Sequence, residues 1–199
     1  MARTSALERR AQLIEAGLRV IARDGIHGAT VRAIVAEAEV PLATFHYVFD
    51  SRDQMIGEAY DYIAVLPEDD LEEVLPDDAT PEEAVRALLL LWFDRFLEHP
   101  EYELAVMEIM AYCRRTPALS QLPAEVQERY LEVVVAGVEL LRERFGASGG
   151  ASARDVATLF LHTTDGITYC WLRTCDTAAS LRAIDAAVPV LAAATVGAG

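Results

Sequence analysis

Hydrophobic positions recur along almost the whole chain at the spacing of an α-helix. In the first segment, Leu7, Ile14 and Ile21 fall on one stripe, and this stripe ends at Gly25. No run of alternating β-branched residues lies between turn signals, as a half-buried strand would require. We therefore predict an all-α fold of about nine helices.

Turn and capping residues divide the chain into these helices. Thr30, Pro41 and Ser51 are each placed to begin a helix within the first third of the chain. Thr80-Pro81-Glu82-Glu83 combines an N-cap, a proline at the first helical position and the glutamate of a capping box. An acidic connection, residues 67–80, precedes it. The later helices are predicted at residues 81–98, 101–115, 124–145, 152–174 and 177–196.

Three short helices are predicted within the first 50 residues, at the spacing of a helix-turn-helix. Residues 25–34 (GIHGATVRAI) and 38–53 (AEVPLATFHYVFDSRD) resemble the N-terminal half of the TetR family of bacterial repressors. The resemblance extends over about residues 9–60. It implies a helix-turn-helix DNA-binding domain at residues 1–54 and a helical ligand-binding and dimerisation domain at residues 55–199.

The resemblance also implies which side chains contact DNA. Thr30 and Arg32 stand where family members place a phosphate contact and a residue that can reach a base, and Arg52 replaces a phosphate-binding lysine. Arginine can hold a guanine edge or a phosphate with two donors. The recognition helix supplies five more candidates: Leu42, Ala43, Thr44, His46 and Tyr47. Thr44 and Tyr47 occupy positions that usually touch the DNA backbone.

Four positions depart from the family pattern. The family usually has glycine at Glu39, serine at Pro41, a lysine or polar residue at Leu42, and lysine at Asp50. Glu39 and Asp50 add negative charge near a polyanion, whereas Leu42 and Ala43 can still contact thymine methyl groups. We expect weak, salt-sensitive DNA binding. The alternative is a ligand-binding or protein-interaction module that has lost specific DNA readout.

Net charge first argues against a nucleic-acid partner. The 199 residues carry 32 acidic and 17 basic side chains, all of the latter arginine, for a formal net charge of −15. Residues 1–54, however, contain seven arginines and seven acidic residues, so the whole excess lies in residues 55–199. The predicted DNA-binding domain is therefore neutral, and the net charge of −15 lies in the predicted ligand-binding and dimerisation domain, here called the body.

The helices predicted from Ser152 and Thr177 are apolar on more than one face, so each needs two partners. The resemblance implies that the last two helices of each subunit pair in a four-helix dimer interface. We therefore expect a homodimer that binds a palindromic double-stranded DNA operator.

Aromatic, sulfur-containing and polar residues within the apolar body predict a pocket for a small hydrophobic effector. The candidates are Trp92, Phe96, Met107, Met110, Cys113, His162, Asp165 and Tyr169. His162, Asp165 and Tyr169 recur at spacings of three and four, hence on one helix face. Each candidate can instead be an ordinary core residue. Asp165 requires a partner, which Arg173, a backbone cap, a second subunit or a cationic ligand can supply.

We accordingly expect a ligand-responsive transcriptional repressor. An enzyme is not expected, because His162 and Asp165 have no nucleophile, metal-ligand spacing or phosphate loop beside them. We expect no cofactor and no metal. Cys113, Cys170 and Cys175 form no CxxC pair and are predicted to be buried free thiols. No signal peptide or membrane span is predicted, which favours the cytoplasm.

Overall fold

The computed structural model describes residues 6–63, 75, 78–146 and 150–197. Most of the acidic connection predicted at residues 67–80 lies outside these ranges. Within them every regular element is helical, so the all-α prediction is confirmed. The elements are α1 (Ala6–Gly28), α2 (Val31–Glu37), α3 (Leu42–Val48), α4 (Arg52–Ile63), α5 (Pro81–Glu98), α6 (Pro100–Arg115), a 3₁₀-helix (Pro117–Leu119), α7 (Leu122–Phe145), α8 (Ala153–Thr174) and α9 (Thr177–Val196).

The predicted caps set several of these helix starts. The Thr30 hydroxyl accepts a hydrogen bond from a backbone N–H in the first turn of α2, and Ser152 does the same for α8. At α5, the Glu83 N–H donates to the Thr80 hydroxyl at 3.2 Å, and the Glu83 carboxylate accepts from the Thr80 N–H at 2.8 Å. That backbone bond holds the pKa of Glu83 below its usual range.

The helices pack into two compact units that do not follow chain order. The described residues of 6–63 and 99–127 form the first unit, and those of 75–98 and 128–197 form the second. This grouping differs from consecutive domains divided at residue 54, because α6 packs with the N-terminal helices. The division at residue 54 stays a prediction about function.

Helix α6 contributes directly to the core of the first unit. Ala105, Ile109 and Cys113 lie at spacing four on α6, and each is fully buried. They join a cluster that includes Phe45 from α3 and Met55 from α4. The N-terminal helices therefore share one hydrophobic core with a helix that begins about 40 residues after α4 ends.

The second unit has its own core between α5, α8 and α9. Leu89 and Phe93 from α5 pack with Ile184 and Leu191 from α9. Among the described helices, α9 alone is long and apolar enough to cross a membrane, with a mean hydropathy of 1.5. Four of its buried residues belong to the core of this unit: Ile184, Val188, Leu191 and Ala192.

The three cysteines differ in their surroundings. Cys113 is buried as predicted, and desolvation raises the pKa of its thiol, with a further contribution from Asp53. Cys170 and Cys175 are exposed, so the prediction of buried thiols is wrong for both. Cys170 lies on the outer side of α8, and Cys175 ends that helix in the left-handed conformation, with φ 52°.

Helix α1 is interrupted at Gly25, where the sequence predicts its end. Gly25 has φ 73° and ψ 169°, a conformation essentially confined to glycine, and the chain returns to helical geometry up to Gly28. The break redirects the chain toward α2 and removes the backbone groups of the next residue from the regular hydrogen-bond pattern of α1.

Replacing Gly25 with alanine tests this requirement. The Gly25→Ala variant is expected to lose about 1–3 kcal/mol of unfolding free energy, because a Cβ makes this backbone conformation strained. Urea denaturation measures the loss. His27→Ala, an exposed change in the same turn, serves as the control and should stay within about 0.5 kcal/mol of the wild type. Equal stability of Gly25→Ala and the wild type would show that the chain does not require glycine at residue 25.

Candidate nucleic-acid interface

Helix α3 presents one side to solvent and the other to the core. Tyr47 is 80% exposed and Leu42 is 43% exposed, which is unusual for large apolar or aromatic side chains. Ala43 and His46 are also exposed, and Thr44 is partly exposed. The five residues predicted for the recognition helix are therefore all accessible to a partner.

The opposite side of α3 anchors it firmly. Phe45 and Phe49 are buried, with ring centroids 5.4 Å apart. Arg10 from α1 donates to the Val48 carbonyl at 2.9 Å, and its guanidinium lies 4.7 Å from the centre of the Phe49 ring. Glu58 from α4 binds the same guanidinium through both carboxylate oxygens. The C-terminal end of α3 is thus tied to α1 and α4.

The turn between α2 and α3 is held from α1. The Gln12 side-chain amide donates to the Ala38 carbonyl at 2.8 Å, and Arg23 donates to Glu37 at the end of α2. This pairing lowers the pKa of Glu37. Glu39, in the middle of the turn, has φ 53°. The turn therefore requires the left-handed conformation at residue 39, where a Cβ is unfavourable. This requirement is the physical reason why the family pattern has glycine at the position that Glu39 occupies here.

Arg32 differs from the other arginines in the described part of residues 6–63. It is exposed at the start of α2, and the structure shows no protein partner for its side chain within the described ranges. The remaining arginines of this segment donate to protein groups: Arg9, Arg10, Arg19, Arg23 and Arg52. Arg32 is therefore available to an external acceptor without breaking an internal contact.

Arg52 binds groups within the protein. Its guanidinium donates to the carbonyls of Ala29, at 2.7 Å, and Ile26, and it lies 5.4 Å from the centre of the Tyr112 ring. These contacts hold the turn between α1 and α2. A phosphate contact by Arg52 stays a prediction, and the structure adds an internal role for the same side chain.

Two carboxylates flank the recognition helix. Glu39 precedes α3, Asp50 follows it, and both are exposed. The Asp50 backbone N–H donates to the side chain of Gln54, and the Gln54 N–H donates to the Ser51 hydroxyl, which confirms the predicted capping of α4. The carboxylates lie beside the surface that would face a polyanion, so they oppose binding by repulsion.

The eight predicted effector residues are divided between the two units. Trp92 and Phe96 stack in the second unit, and the Phe96 ring meets Trp171 edge to face at 5.1 Å. His162, Asp165 and Tyr169 lie on another side of α8 and are all exposed in the single chain. Desolvation raises the pKa of Asp165, and the nearby His162 offsets part of this effect.

The other three effector candidates lie on α6 in the first unit. Cys113 belongs to the buried core, Met110 is exposed, and Met107 lines a groove of about 710 Å³ between α6 and the end of α1. Glu108 and Tyr112 also line this groove. The sequence carries no signal for either residue, because an exposed glutamate and a half-buried tyrosine on an amphipathic helix form no motif.

An accessible short helix, anchored behind by aromatic residues and preceded by a capped helix with an available arginine, defines a helix-turn-helix DNA-binding regulator. The sequence pattern described as "Bacterial regulatory proteins, tetR family" matches residues 13–59. The nicotine-responsive transcriptional repressor HdnoR of Paenarthrobacter nicotinovorans is 30% identical over 172 residues, which cover 82% of this chain and 84% of HdnoR. The chain belongs to the TetR family.

Solved structures show the same fold. A TetR-family transcriptional regulator from Mesorhizobium loti superposes with a TM-score of 0.77 at 20% identity, over 96% of this chain and 98% of its own. The regulator FadR of Bacillus subtilis, crystallised with stearoyl-CoA, gives a TM-score of 0.70 at 17% identity, over 94% and 97%. The described helices therefore have the fold of these regulators.

Substitutions at Glu39 separate backbone strain from charge. Glu39→Gly is expected to raise the unfolding free energy by about 0.5–1 kcal/mol, because relief of left-handed strain exceeds the entropy that glycine adds to the unfolded chain. Glu39→Ala keeps the strain and removes only the charge, so its stability should stay near that of the wild type. Chemical denaturation measures both. A gain for alanine equal to that for glycine would show that strain at residue 39 is negligible.

Proposed function

We propose that the protein is a repressor that binds a palindromic operator as a homodimer and leaves it when a small hydrophobic effector binds. The observation that carries this proposal is the accessible surface made by α3 and the start of α2. Arg32 is the candidate for contact with a base, since its side chain is exposed and has no protein partner within the described residues. Thr30, Thr44 and Tyr47 are the phosphate-contacting candidates, and Leu42, Ala43 and His46 lie between them on the same surface.

Uncovered apolar residues on α8 and α9 support the homodimer. Tyr169 is 54% exposed and Val190 is 61% exposed, and Leu159 and Leu181 add to this surface. A second copy of the chain would cover these residues by the four-helix packing expected for the family. The resulting two-fold axis would place two recognition helices about 34–36 Å apart, on successive turns of a palindromic operator.

Chemistry in the second unit favours a neutral or cationic effector. Trp92, Phe96 and Trp171 supply aromatic surface, to which organic cations bind well. The name of the relative HdnoR describes a response to nicotine, which is a small organic base. The excess of acidic residues outside residues 1–54 points the same way. The effector would act through a higher affinity for the form of the dimer that does not bind DNA.

The second candidate function is a family member that has lost specific DNA readout. Glu39 and Asp50 favour it, because both carboxylates are exposed beside α3. Binding measurements on duplex DNA from upstream of the protein's own coding sequence distinguish the two functions.

The relatives are transcriptional regulators rather than enzymes, and a regulator of this kind acts in the cytoplasm.

Operator binding by Arg32→Ala tests the DNA surface. Loss of a base contact is expected to weaken binding by about 1–3 kcal/mol and to relax the preference at one base position. Tyr47→Phe should instead weaken binding to every sequence, since it removes a phosphate contact. Fluorescence anisotropy with the upstream duplex and a scrambled duplex measures both effects. Wild-type discrimination between the two duplexes by Arg32→Ala would remove Arg32 from sequence readout.

Association of the chain tests the dimer. Val190→Glu is expected to yield monomers at micromolar concentration, because a buried carboxylate would have no partner in the apolar interface. Sedimentation equilibrium measures the molecular mass. Leu104→Glu introduces the same charge at a comparably exposed leucine on α6 and is expected to remain dimeric. A wild-type monomer at this concentration would contradict the proposed assembly.

A further inference from the structure

Both backbone groups of Ile26 are held by side chains from other helices. The break at Gly25 takes Ile26 out of the regular pattern of α1, and its N–H donates to the Glu108 carboxylate of α6 at 3.2 Å. Its carbonyl accepts from Arg52 of α4. These two hydrogen bonds satisfy the backbone N–H and carbonyl of Ile26, whose side chain is buried.

The same two helices also hold the rest of the turn. Arg52 reaches the Ala29 carbonyl, and its guanidinium lies over the ring of Tyr112. The Tyr112 hydroxyl donates to Asp53 at 2.7 Å. Glu108 and Tyr112 are four residues apart, one helical turn on α6. Helix α6 therefore reaches both the end of α1 and the start of α4.

The turn held in this way leads directly into the proposed DNA surface. The Thr30 N–H donates to the Gly28 carbonyl at 2.7 Å, and Thr30 then caps α2. Arg32 follows in the first turn of that helix. The position of Ile26 thus determines where α2 begins and where the Arg32 side chain projects.

The groove beside Glu108 gives the hydrogen bond between Ile26 and Glu108 a larger part in orienting the end of α1. Leu104, Met107 and Ala111 line the open space between α6 and the end of α1. The Ile26 side chain packs in the core of the first unit, whereas its backbone N–H lies beside this open groove and bonds to Glu108. The hydrogen bond from the Ile26 N–H to the Glu108 carboxylate connects α1 with α6 beside the groove. A hydrogen bond depends on the angle between donor and acceptor, so it orients the end of α1 in a way that apolar contacts do not.

We propose that Glu108 is a positioning residue for DNA binding. It acts through the Ile26 N–H to set the start of α2, and Arg52 completes the same arrangement from the carbonyl side. Glu108 lies well outside residues 13–59, which carry the family's sequence pattern. The inference rests on the proposed function, since it concerns the geometry of the operator-binding surface.

Two substitutions at Glu108 test the proposal. Glu108→Ala removes the acceptor and is expected to weaken operator binding about tenfold, while the dependence of log Kd on log salt keeps its slope because no phosphate contact is lost. Glu108→Gln retains an acceptor oxygen and is expected to bind within about threefold of the wild type. Fluorescence anisotropy at several salt concentrations measures both, and amide hydrogen exchange follows the Ile26 N–H directly.

A matched control removes the same charge from the same helix. Glu101 is an exposed carboxylate near the start of α6, and Glu101→Ala is expected to bind DNA within about twofold of the wild type. Arg52→Lys supplies a second variant, because lysine keeps the positive charge but has no planar fork to hold two carbonyls. It should weaken binding without a change in the salt slope, because the number of positive charges on the DNA-binding surface stays the same.

The outcomes separate this inference from the proposed function. Wild-type affinity and unchanged Ile26 exchange in Glu108→Ala would overturn the inference alone. Equal weakening by Glu108→Gln and Glu108→Ala would also overturn it, since the retained acceptor would then have no effect. Failure of the wild type to bind any duplex would refute the proposed function. Thermal unfolding of each variant shows whether the fold is intact.

Discussion

One shared hydrophobic core constrains the first unit, and the rest of the DNA-binding surface depends on it. Ala105, Ile109 and Cys113 of α6 are fully buried among residues of the N-terminal helices. Helices α1–α4 have too little apolar surface to form a large core alone, so α6 completes it. The orientation of α3 therefore depends on a helix that makes no contribution to the DNA surface itself. Every polar contact from α6 to the turn before α2 exists because this packing brings α6 into position.

Arginine chemistry connects that core to the surface. Arg10 and Arg52 each bind several protein groups at once, combining hydrogen bonds to carbonyl oxygens with a contact to an aromatic ring. Lysine has no planar fork and would hold only part of each set. The neutral net charge of residues 1–54 therefore does not show what each arginine does. Most of the arginines in the described part of that segment bind other groups of the protein, whereas Arg32 is exposed and has no protein partner there.

The sequence predicted the local structure well and the partners of each helix less well. Helix periodicity and capping residues located the helices. Periodicity does not tell which helix covers an apolar face, so the packing of α6 with the N-terminal helices was not predicted. The same limit applies to α8, where two faces are apolar. His162 and Tyr169 were expected in a pocket and lie on the exposed side of the chain. The contacts of Arg52 and Glu108 were not predicted, because both depend on the backbone break at Gly25.

The order of segments in the first unit has a consequence for folding and for engineering. The unit is discontinuous, since the stretch of chain between α4 and α6 includes α5 of the second unit. Completing the first core therefore requires closure of a long loop, and the entropy of that closure must be overcome before the contacts of α6 are gained. A fragment cut after α4 would leave apolar surface uncovered. Exchange of DNA-binding specificity between relatives would accordingly require α6, or a compatible replacement, to be transferred with the N-terminal helices.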